Sequence, residues 1–242
     1  MSDFYSVLAD HYDALFGCDD RTITFLIEEG ALPGARVLDA ACGTGACTRA
    51  LIGRHVDAHG ADLSTRMIEI AKEKARDAGI EPSRFSVGDM LETDAHPHRP
   101  FDLIFCIGNS IAHLDSLDAV GRFLRAAARA LEGGAGRLVL QYVDVATLEV
   151  GDSFELPDLT TPAAVMRRTY HRDGSRIRFD AELAVRGESA QAISQPLLII
   201  PTAELCGLVE EAGFASVTVY GGFDRTPAGG GRWVRVVVGE LS

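Results

Sequence analysis

The stretch RVLDAACGTGACTRAL, from Arg36 to Leu51, joins an apolar run to a helix-like run. The apolar run ends at Asp39, and Gly43 and Gly45 occupy the turn that follows. Glycines in a turn between a strand and a helix let a ligand approach the bare backbone beside the helix amino terminus. The stretch therefore predicts a strand, a ligand-binding turn and a helix.

Strand-like and helix-like segments alternate from this stretch as far as Asp144. The strand-like segments are almost continuously apolar, which is typical of strands buried on both faces of a parallel sheet. Ser64 and Gly79 are the predicted N-cap and C-terminal stop of one helix. A helix, a strand, a glycine-rich loop and a last strand resume at residue 202. This order predicts an α/β fold with a parallel sheet covered by helices. The predicted parallel strands are ARVLDAA, VDAHGADL, RFSVGDM, FDLIFCIG and GRLVLQYVD.

The alternation stops after Asp144. Residues 163–200 contain extended runs separated by RDGS and RGES, and Asp-Gly between extended runs is a strong hairpin signal. We therefore expect one domain over residues 1–242, with an inserted antiparallel cap at 145–200 and a helical lid at 1–30. The exposed hairpins of the cap leave room for a homodimer.

Composition excludes several classes of partner. Lys and Arg number 23 against 35 Asp and Glu, which gives a net charge of −12. Such a surface repels phosphate backbones, so we expect no nucleic-acid partner. The longest apolar runs, such as QPLLII, are too short to span a bilayer, and the acidic amphipathic start MSDFYSVLADHYD is not a signal peptide. We expect a cytoplasmic protein with no membrane partner.

The cysteines and histidines do not form a metal motif. The chain has five cysteines and no C-x-x-C pair, and we expect Cys42, Cys47, Cys106 and Cys206 to be reduced and mostly buried. His96 and His98 lie in the proline-flanked segment DAHPHRP, which offers no third and fourth ligand at suitable spacing. We interpret this segment as a surface loop and expect no metal.

The glycine turn differs from a dinucleotide fingerprint because Thr48 stands where the third glycine would be. VLDAACGTG instead resembles motif I of the class I S-adenosylmethionine-dependent methyltransferases. GNSIAHL and the amino-terminal HYDALF resemble the glycine/sarcosine N-methyltransferase-like branch of small-molecule enzymes. The resemblance implies a Rossmann-like seven-stranded methyltransferase sheet with helices on both faces and a small antiparallel insertion after strand five.

The resemblance also implies a binding site for S-adenosylmethionine and its product S-adenosylhomocysteine. Asp62 follows Asp39 by 23 residues, a spacing that suits one βαβ unit with a carboxylate on the ribose hydroxyls. Asp89 would contact the adenine amino group, and Met90 would cover the ring or pack in the core. The full set of implied cofactor residues is Asp39, Ala41, Gly43, Gly45, Asp62, Leu63, Met67, Asp89, Met90 and Cys106.

Catalysis needs positioning groups more than strong acids, because a sulfonium leaving group is already cationic. The candidates for catalysis are Asn109, His113 and Tyr12, and those for substrate binding are Asn109, Tyr142, Tyr170 and Arg172. Asn109 could instead be a left-handed turn residue, His113 a structural histidine and Tyr12 a helix anchor. On the predicted strand Arg168, Tyr170 and Arg172 share one face, and an arginine there would suit an acceptor with a carboxylate.

The predicted function is methyl transfer to a small molecule, with nitrogen as the first choice of acceptor. Oxygen or carbon acceptors of secondary metabolism stay open. A nicotinamide-dependent oxidoreductase also stays open, since it too would place an acid at Asp62, and so does a protein that binds the cofactor without catalysis.

Overall fold

A computed structural model describes residues 11–131, 136–148, 151–174, 176–229 and 231–242. The helices are Asp20–Glu28 (α1), Ala46–Ile52 (α2), Thr65–Asp77 (α3), Leu117–Leu131 (α4) and Thr202–Glu211 (α5). The strands are Arg36–Asp39 (β1), Asp57–Asp62 (β2), Phe85–Val87 (β3), Leu103–Cys106 (β4), Arg137–Val143 (β5), Ser153–Thr160 (β6), Ala164–Asp173 (β7), Arg176–Val185 (β8), Gln191–Leu198 (β9), Ser216–Tyr220 (β10) and Val234–Glu240 (β11).

The main sheet has seven strands in the order β10-β11-β5-β4-β1-β2-β3. All neighbouring pairs are parallel except those made by β11, which runs antiparallel to both β5 and β10. The chain leaves β1 for β2 on one side and later crosses to β4 on the other. The carboxyl ends of β1, β2 and β4 therefore meet where the strand order changes direction, which is where open α/β sheets bind ligands.

Both faces of this sheet are covered, as predicted. Leu38, Ile104 and Leu140 point to the face covered by α4 and α5. Val37 and Leu103 point to the opposite face, which α1 and α2 cover. This alternation explains why the strands are apolar at almost every position. The predicted fold class is confirmed.

The cap is a second antiparallel sheet with the order β6-β7-β8-β9. The β7–β8 and β8–β9 turns fall at the predicted RDGS and RGES segments. Strand β6 lies outside the predicted meander over 163–200, and a register shift between Leu156 and Leu159 interrupts its pairing. Its Pro157 and exposed polar residues hide the alternation that would have marked it as a strand.

The amino-terminal helix predicted over residues 3–16 lies partly outside the described residues. Residues 11–16 are helical, as predicted, and Leu15 is buried against the cap residues Ala164 and Met166. Among the described residues, no helix combines the length and the apolar character that a bilayer crossing requires.

One cysteine prediction was wrong. Cys47 in α2 forms a disulfide with Cys18, which follows the amino-terminal helical segment, whereas Cys42, Cys106 and Cys206 are free thiols. The two cysteines are 29 residues apart in sequence, so only the folded chain brings them together. The spacing rules that identify metal and redox motifs therefore missed the pair.

Candidate active site

The turn after β1 requires glycine at two positions. Gly43 and Gly45 have φ angles of +53° and +76°, in the left-handed region that favours glycine. A Cβ on Gly45 would lie 2.4 Å from the Phe85 ring, and a Cβ on Gly43 would lie 3.2 Å from the Tyr12 ring. The turn therefore presents bare backbone between the lid on one side and α3 and β3 on the other.

Asp39, the last residue of β1, stabilises this turn through a hydrogen bond with Thr48 of α2. It is 3% exposed, and its Oδ2 accepts a hydrogen bond from the Thr48 hydroxyl at 2.9 Å. Burial raises the pKa of Asp39 to about 7, and the Thr48 hydrogen bond opposes that rise. Thr48, which replaces the third glycine of a dinucleotide fingerprint, thus has a role that the sequence did not reveal.

Asp62 lies at the end of β2 and fixes the same turn from the side. Its Oδ2 accepts from the backbone amide of Gly43 at 2.9 Å, and its Oδ1 accepts from the amide of Ser64 at 2.8 Å. Burial raises the pKa of Asp62, although the two amide hydrogen bonds counteract it. Each carboxylate oxygen has two lone-pair positions, so the half-buried group keeps capacity to accept two more donors.

Apolar side chains lie exposed beside Asp62. Leu63 is 71% exposed and Val87, which pairs with Asp62 across the sheet, is 51% exposed. Asp89 caps the short 3-10 segment Met90–Ala95 by accepting from the amide of Leu91 at 2.9 Å. Met90 packs partly buried against the main core. This edge offers an apolar patch next to a carboxylate, a combination that suits a flat heterocycle joined to a ribose.

The lid segment covers the glycine turn. Besides the contact of Tyr12 with Gly43, the carboxylate of Asp13 binds Arg49 at 2.6 Å and Lys74 at 2.9 Å, and the Thr44 hydroxyl donates to it. Burial would raise the pKa of Asp13, but the hydrogen bonds from Lys74 and Thr44 hold the pKa below its usual range. Asp13 was not among the predicted site residues, although it stands in the quoted HYDALF segment.

Tyr12 itself is largely enclosed. Burial raises its pKa, and the negative charges of Asp62 and Asp39 add to the rise, so the phenol keeps its proton at neutral pH. Met67 is buried and packs with Ile70 beside Tyr12. The sequence left open whether Tyr12 closes over the cofactor or anchors the helix; in the structure its ring lies beside Gly43 and next to the Phe16 ring of its own helical segment.

Asn109 follows β4 in a left-handed conformation, with a φ angle of +66°. Its Oδ1 accepts from the amide of Val143 at 2.9 Å, and its Nδ2 lies 3.3 Å from the Tyr170 hydroxyl of the cap. The side chain therefore ties the ends of β4 and β5 to β7. Asn109 therefore connects the main domain to the cap through hydrogen bonds of its side chain.

His113 ends the 3-10 segment Ser110–His113, its side chain is exposed, and it lies near enough to Asp62 to feel the charge of that carboxylate. Burial lowers the pKa of His113, and the negative charge of nearby Asp62 opposes part of that shift. The imidazole is therefore neutral at neutral pH and can accept a proton.

On the cap, the even-numbered residues of β7 share one face, as predicted, and this face lies toward the main domain at Tyr170. Tyr170 is 4% exposed and belongs to the main core. Arg172 shares this face, but its Nε donates to the carbonyl of Gly174 at 2.8 Å, so the side chain folds back onto its own hairpin turn. Arg168 lies under the lid, with its guanidinium carbon 5.9 Å from the centre of the Phe16 ring.

Two predicted contact residues have no free side chain. Tyr142 is 0% exposed, and its hydroxyl lies 2.9 Å from that of Thr202 in α5. Cys106 is also 0% exposed, and burial raises the pKa of its thiol. We therefore assign both side chains to the core rather than to a binding surface. Ala41 is half-buried beside the turn.

His96 and His98 form a cluster with His59 at the opposite end of β2. The His59 and His98 rings stack with centroids 4.0 Å apart. Stacked rings do not direct their nitrogens at a common point, and the described residues contain no group suited to hold a metal ion.

Comparison with known proteins identifies the family. A family model described as a methyltransferase domain matches residues 37–134. The ubiquinone/menaquinone biosynthesis C-methyltransferase UbiE of Vibrio cholerae is 30% identical over 204 residues, which cover 79% of this chain and 68% of that protein. The structure of the CcbJ methyltransferase from Streptomyces caelestis shares 22% identity at a TM-score of 0.79, covering 97% and 96% of the two chains. The sugar N-methyltransferase KedS8 from Streptoalloteichus shares 25% identity at a TM-score of 0.66, covering 90% and 86%.

The chain belongs to the class I S-adenosylmethionine-dependent methyltransferases. It is an enzyme that uses S-adenosylmethionine and acts on small molecules. The residues of the site fit that cofactor, because bare glycine backbone, the free lone pairs of Asp62 and the apolar patch at Leu63 and Val87 lie side by side.

Proposed function

We propose that this enzyme methylates a nitrogen atom of a small-molecule acceptor bound between the lid, the segment Asn109–His113 and the cap. The observation that carries the proposal is the exposed imidazole of His113, at the end of the segment that Asn109 ties to Val143 and to Tyr170 of the cap. Its charge interaction with Asp62 shows that it lies near that carboxylate. When bound, S-adenosylmethionine supplies an electrophilic methyl group on a sulfonium sulfur.

Different residues of the site suit different parts of the cofactor. Asp62 would accept hydrogen bonds from the ribose hydroxyls, and Leu63 and Met90 would contact the adenine ring, with Asp89 near its amino group. Gly43 and Gly45 leave the backbone open to the methionine portion. Tyr12 would cover this portion and exclude water from it.

An amine acceptor must lose a proton to be nucleophilic, because aliphatic ammonium groups are protonated at neutral pH. His113 can take that proton, because its lowered pKa leaves a ring nitrogen free to accept one at neutral pH. Asn109 holds the loop that carries His113 in register with the cap through Val143 and Tyr170. We therefore assign His113 as general base and Asn109 as a positioning residue.

The relatives support a small-molecule acceptor and differ in the acceptor atom. KedS8 is a sugar N-methyltransferase and UbiE is a C-methyltransferase. A base such as His113 serves any acceptor that must lose a proton, and KedS8 is an example of a related fold that methylates nitrogen. The glycine/sarcosine-like branch suggested by GNSIAHL and HYDALF points the same way.

The first experiment is calorimetric titration of the protein with S-adenosylmethionine, S-adenosylhomocysteine and NADH. Micromolar binding of the first two without the third supports the proposed site. Binding of NADH alone would contradict it.

The second experiment measures formation of S-adenosylhomocysteine with a panel of small amines, phenols and activated carbon acids. The proposal expects turnover of amines and a pH profile that falls on the acidic side as His113 is protonated. His113→Gln should lower kcat about 100-fold while leaving the affinity for S-adenosylhomocysteine unchanged. Turnover of only the phenols or carbon acids would reject the nitrogen assignment.

A further inference from the structure

The inner face of the cap is apolar except at a few positions. Strand β7 places Met166, Arg168 and Tyr170 on this face, and Arg168 pairs with Leu156 of β6 and Ala181 of β8. Met166, Tyr170 and Ala181 are buried. A guanidinium in the middle of an apolar face loses part of its hydration, which is unfavourable unless another group binds the charge.

The outer face of the same sheet is different. There Arg167 pairs with Glu182 at 3.1 Å, and Asp180 pairs with both Arg178 and His171 at 3.1 Å. The basic side chains of the outer face thus have acidic partners on the same strand or on the neighbouring one. Arg168 makes no ion pair within 4.0 Å with any residue that the structure describes. Asp158, whose charge favours the protonated guanidinium, pairs instead with Arg167 at 3.7 Å.

The hydrogen bonds of Arg168 are also incomplete. One terminal nitrogen donates to the carbonyl of Pro157 at 2.9 Å, and the guanidinium lies near the Phe16 ring. Its Nε is buried and has no acceptor among the described residues. Burial lowers the pKa of Arg168, but a guanidinium stays protonated in proteins. The result is a half-buried positive charge beneath the lid, with an Nε–H donor that no described residue accepts.

We propose that Arg168 binds a carboxylate of the acceptor, so that the substrate is an amino acid or another amine that carries a carboxylate. This proposal rests on the proposed function and names the class of substrate. A guanidinium matches the planar carboxylate with two parallel N–H donors. The net charge of −12 gives no long-range attraction to an anion, so a local cation must select it.

The position of Arg168 suits this role better than that of Arg172, the arginine that sequence alone favoured. Arg168 lies between Phe16 of the lid and Tyr170, whose hydroxyl contacts Asn109. Asn109 begins the segment that ends at His113. A substrate with its carboxylate on Arg168 therefore extends its amine along Tyr170 and Asn109 toward His113.

The test compares amines that differ only in the charge of one group. S-adenosylhomocysteine formation is measured for the pairs glycine and glycinamide, β-alanine and β-alaninamide, and 4-aminobenzoate and 4-aminobenzamide, with phosphoethanolamine against ethanolamine as a phosphate arm. Wild-type enzyme should prefer the carboxylate of at least one pair by about tenfold or more in kcat/KM. Arg168→Gln should remove this preference by raising KM for the carboxylate, and Arg168→Lys should restore part of it.

Arg167→Gln is the matched control, because the neighbouring arginine lies on the outer face and has its own acidic partner. It should behave like wild type in every arm. Calorimetry with S-adenosylhomocysteine should give the same affinity for wild type and all three variants. If the wild-type protein does not bind S-adenosylhomocysteine, the proposed function itself is rejected, whatever the result with the carboxylate substrates.

If Arg168 had a structural role, Arg168→Met would lower the thermal midpoint of the apo protein. The proposal instead expects this variant to leave the thermal midpoint unchanged or raised, because the exchange removes an uncompensated, half-buried charge. The proposal is overturned if the amides are methylated as well as the carboxylates, if Arg168→Gln slows both members of a pair equally, or if the phosphate arm alone shows a preference. It is also overturned if no carboxylate of the panel is methylated or binds the S-adenosylhomocysteine complex in calorimetry.

Discussion

The carboxylate of Asp62 accepts a hydrogen bond from the backbone amide of Gly43 at 2.9 Å. The bond joins the carboxyl end of β2 to the turn that follows β1, so one side chain both shapes the glycine turn and stays open to a ligand. Cofactor affinity should depend on this carboxylate more than on any other acid of the chain.

Replacing Asp62 by Ala should weaken binding of S-adenosylhomocysteine about 10- to 100-fold, because hydrogen bonds to a charged acceptor contribute roughly 1.5–3 kcal/mol each. Isothermal calorimetry measures the effect. Asp77→Ala, at the exposed end of α3, is the control and should bind as wild type does. Asp62→Asn keeps one acceptor oxygen and should fall between the two. An unchanged dissociation constant for Asp62→Ala would remove Asp62 from the cofactor site.

Glycine substitutions separate steric contact from backbone strain. Gly45 and Gly79 have similar φ angles of +76° and +68°, but a Cβ on Gly45 would strike the Phe85 ring whereas a Cβ on Gly79 meets nothing within 4 Å. Gly79→Ala should lower the free energy of unfolding by about 1 kcal/mol through strain alone. Gly45→Ala should cost roughly 2 kcal/mol more, since Phe85 must move. Urea unfolding measures both, and equal losses would mean that the turn adapts without cost.

The Cys18–Cys47 disulfide should stabilise the fold. Because the two cysteines are 29 positions apart, the chain-entropy model gives roughly 3 to 4 kcal/mol, so Cys18→Ser or chemical reduction should lower the thermal midpoint by several degrees. Cys206→Ser, which changes a free and half-buried thiol, is the control. Alkylation of native, unreduced protein followed by mass spectrometry should leave Cys18 and Cys47 unlabelled. Labelling of both would show that the bond is absent.

The histidine cluster should make stability depend on pH. Burial, together with the positive charge of Arg84 and the proximity of His98, lowers the pKa of His59 to about 4. Between pH 6.5 and 4 the unfolded chain therefore binds a proton that the folded chain does not, so the free energy of unfolding falls as the pH falls, by up to about 3 kcal/mol. His59→Asn should flatten this dependence in urea unfolding at several pH values.

His55→Asn is the matched control for His59→Asn. His55 is exposed and has a φ angle of +65°, which asparagine tolerates well, so the exchange is local and leaves the cluster intact. The control should keep the wild-type dependence on pH. If both variants show the same dependence as wild type, protonation of His59 is not coupled to folding.

Much of the main domain could be predicted because its signals are local. The apolar strands, the Ser64 cap and the Asp-Gly hairpin turn each specify a structure within a few residues, and each lies where it was expected. Strand β6 was missed because Pro157 and a register shift interrupt its pattern. The glycine turn and Asp62 could be placed because parallel strands bring their carboxyl ends to one edge.

The rest of the site depends on contacts between distant residues. The ion pairs of Asp13 with Arg49 and Lys74 join three separate elements, and no spacing rule links them. Tyr142 of the main sheet and Tyr170 of the cap sheet were both predicted to bind substrate. Only the contact of the Tyr142 hydroxyl with Thr202 of α5 showed that Tyr142 belongs to the core. Arg168 and Arg172 are equivalent by alternation, and they differ because Arg168 lies under the lid whereas Arg172 folds back onto Gly174.

The lid also has a consequence for the kinetics of turnover. Its helical segment covers the glycine turn through Tyr12, and it is held at Asp13 by ionic contacts and at Cys18 by a covalent bond. Since the covalent bond stays closed during turnover, the segment can only swing about Cys18 and cannot dissociate from the domain. We expect exchange of spent for fresh cofactor to require rupture of the Asp13 contacts, so that the strength of these ion pairs influences the lifetime of the product complex.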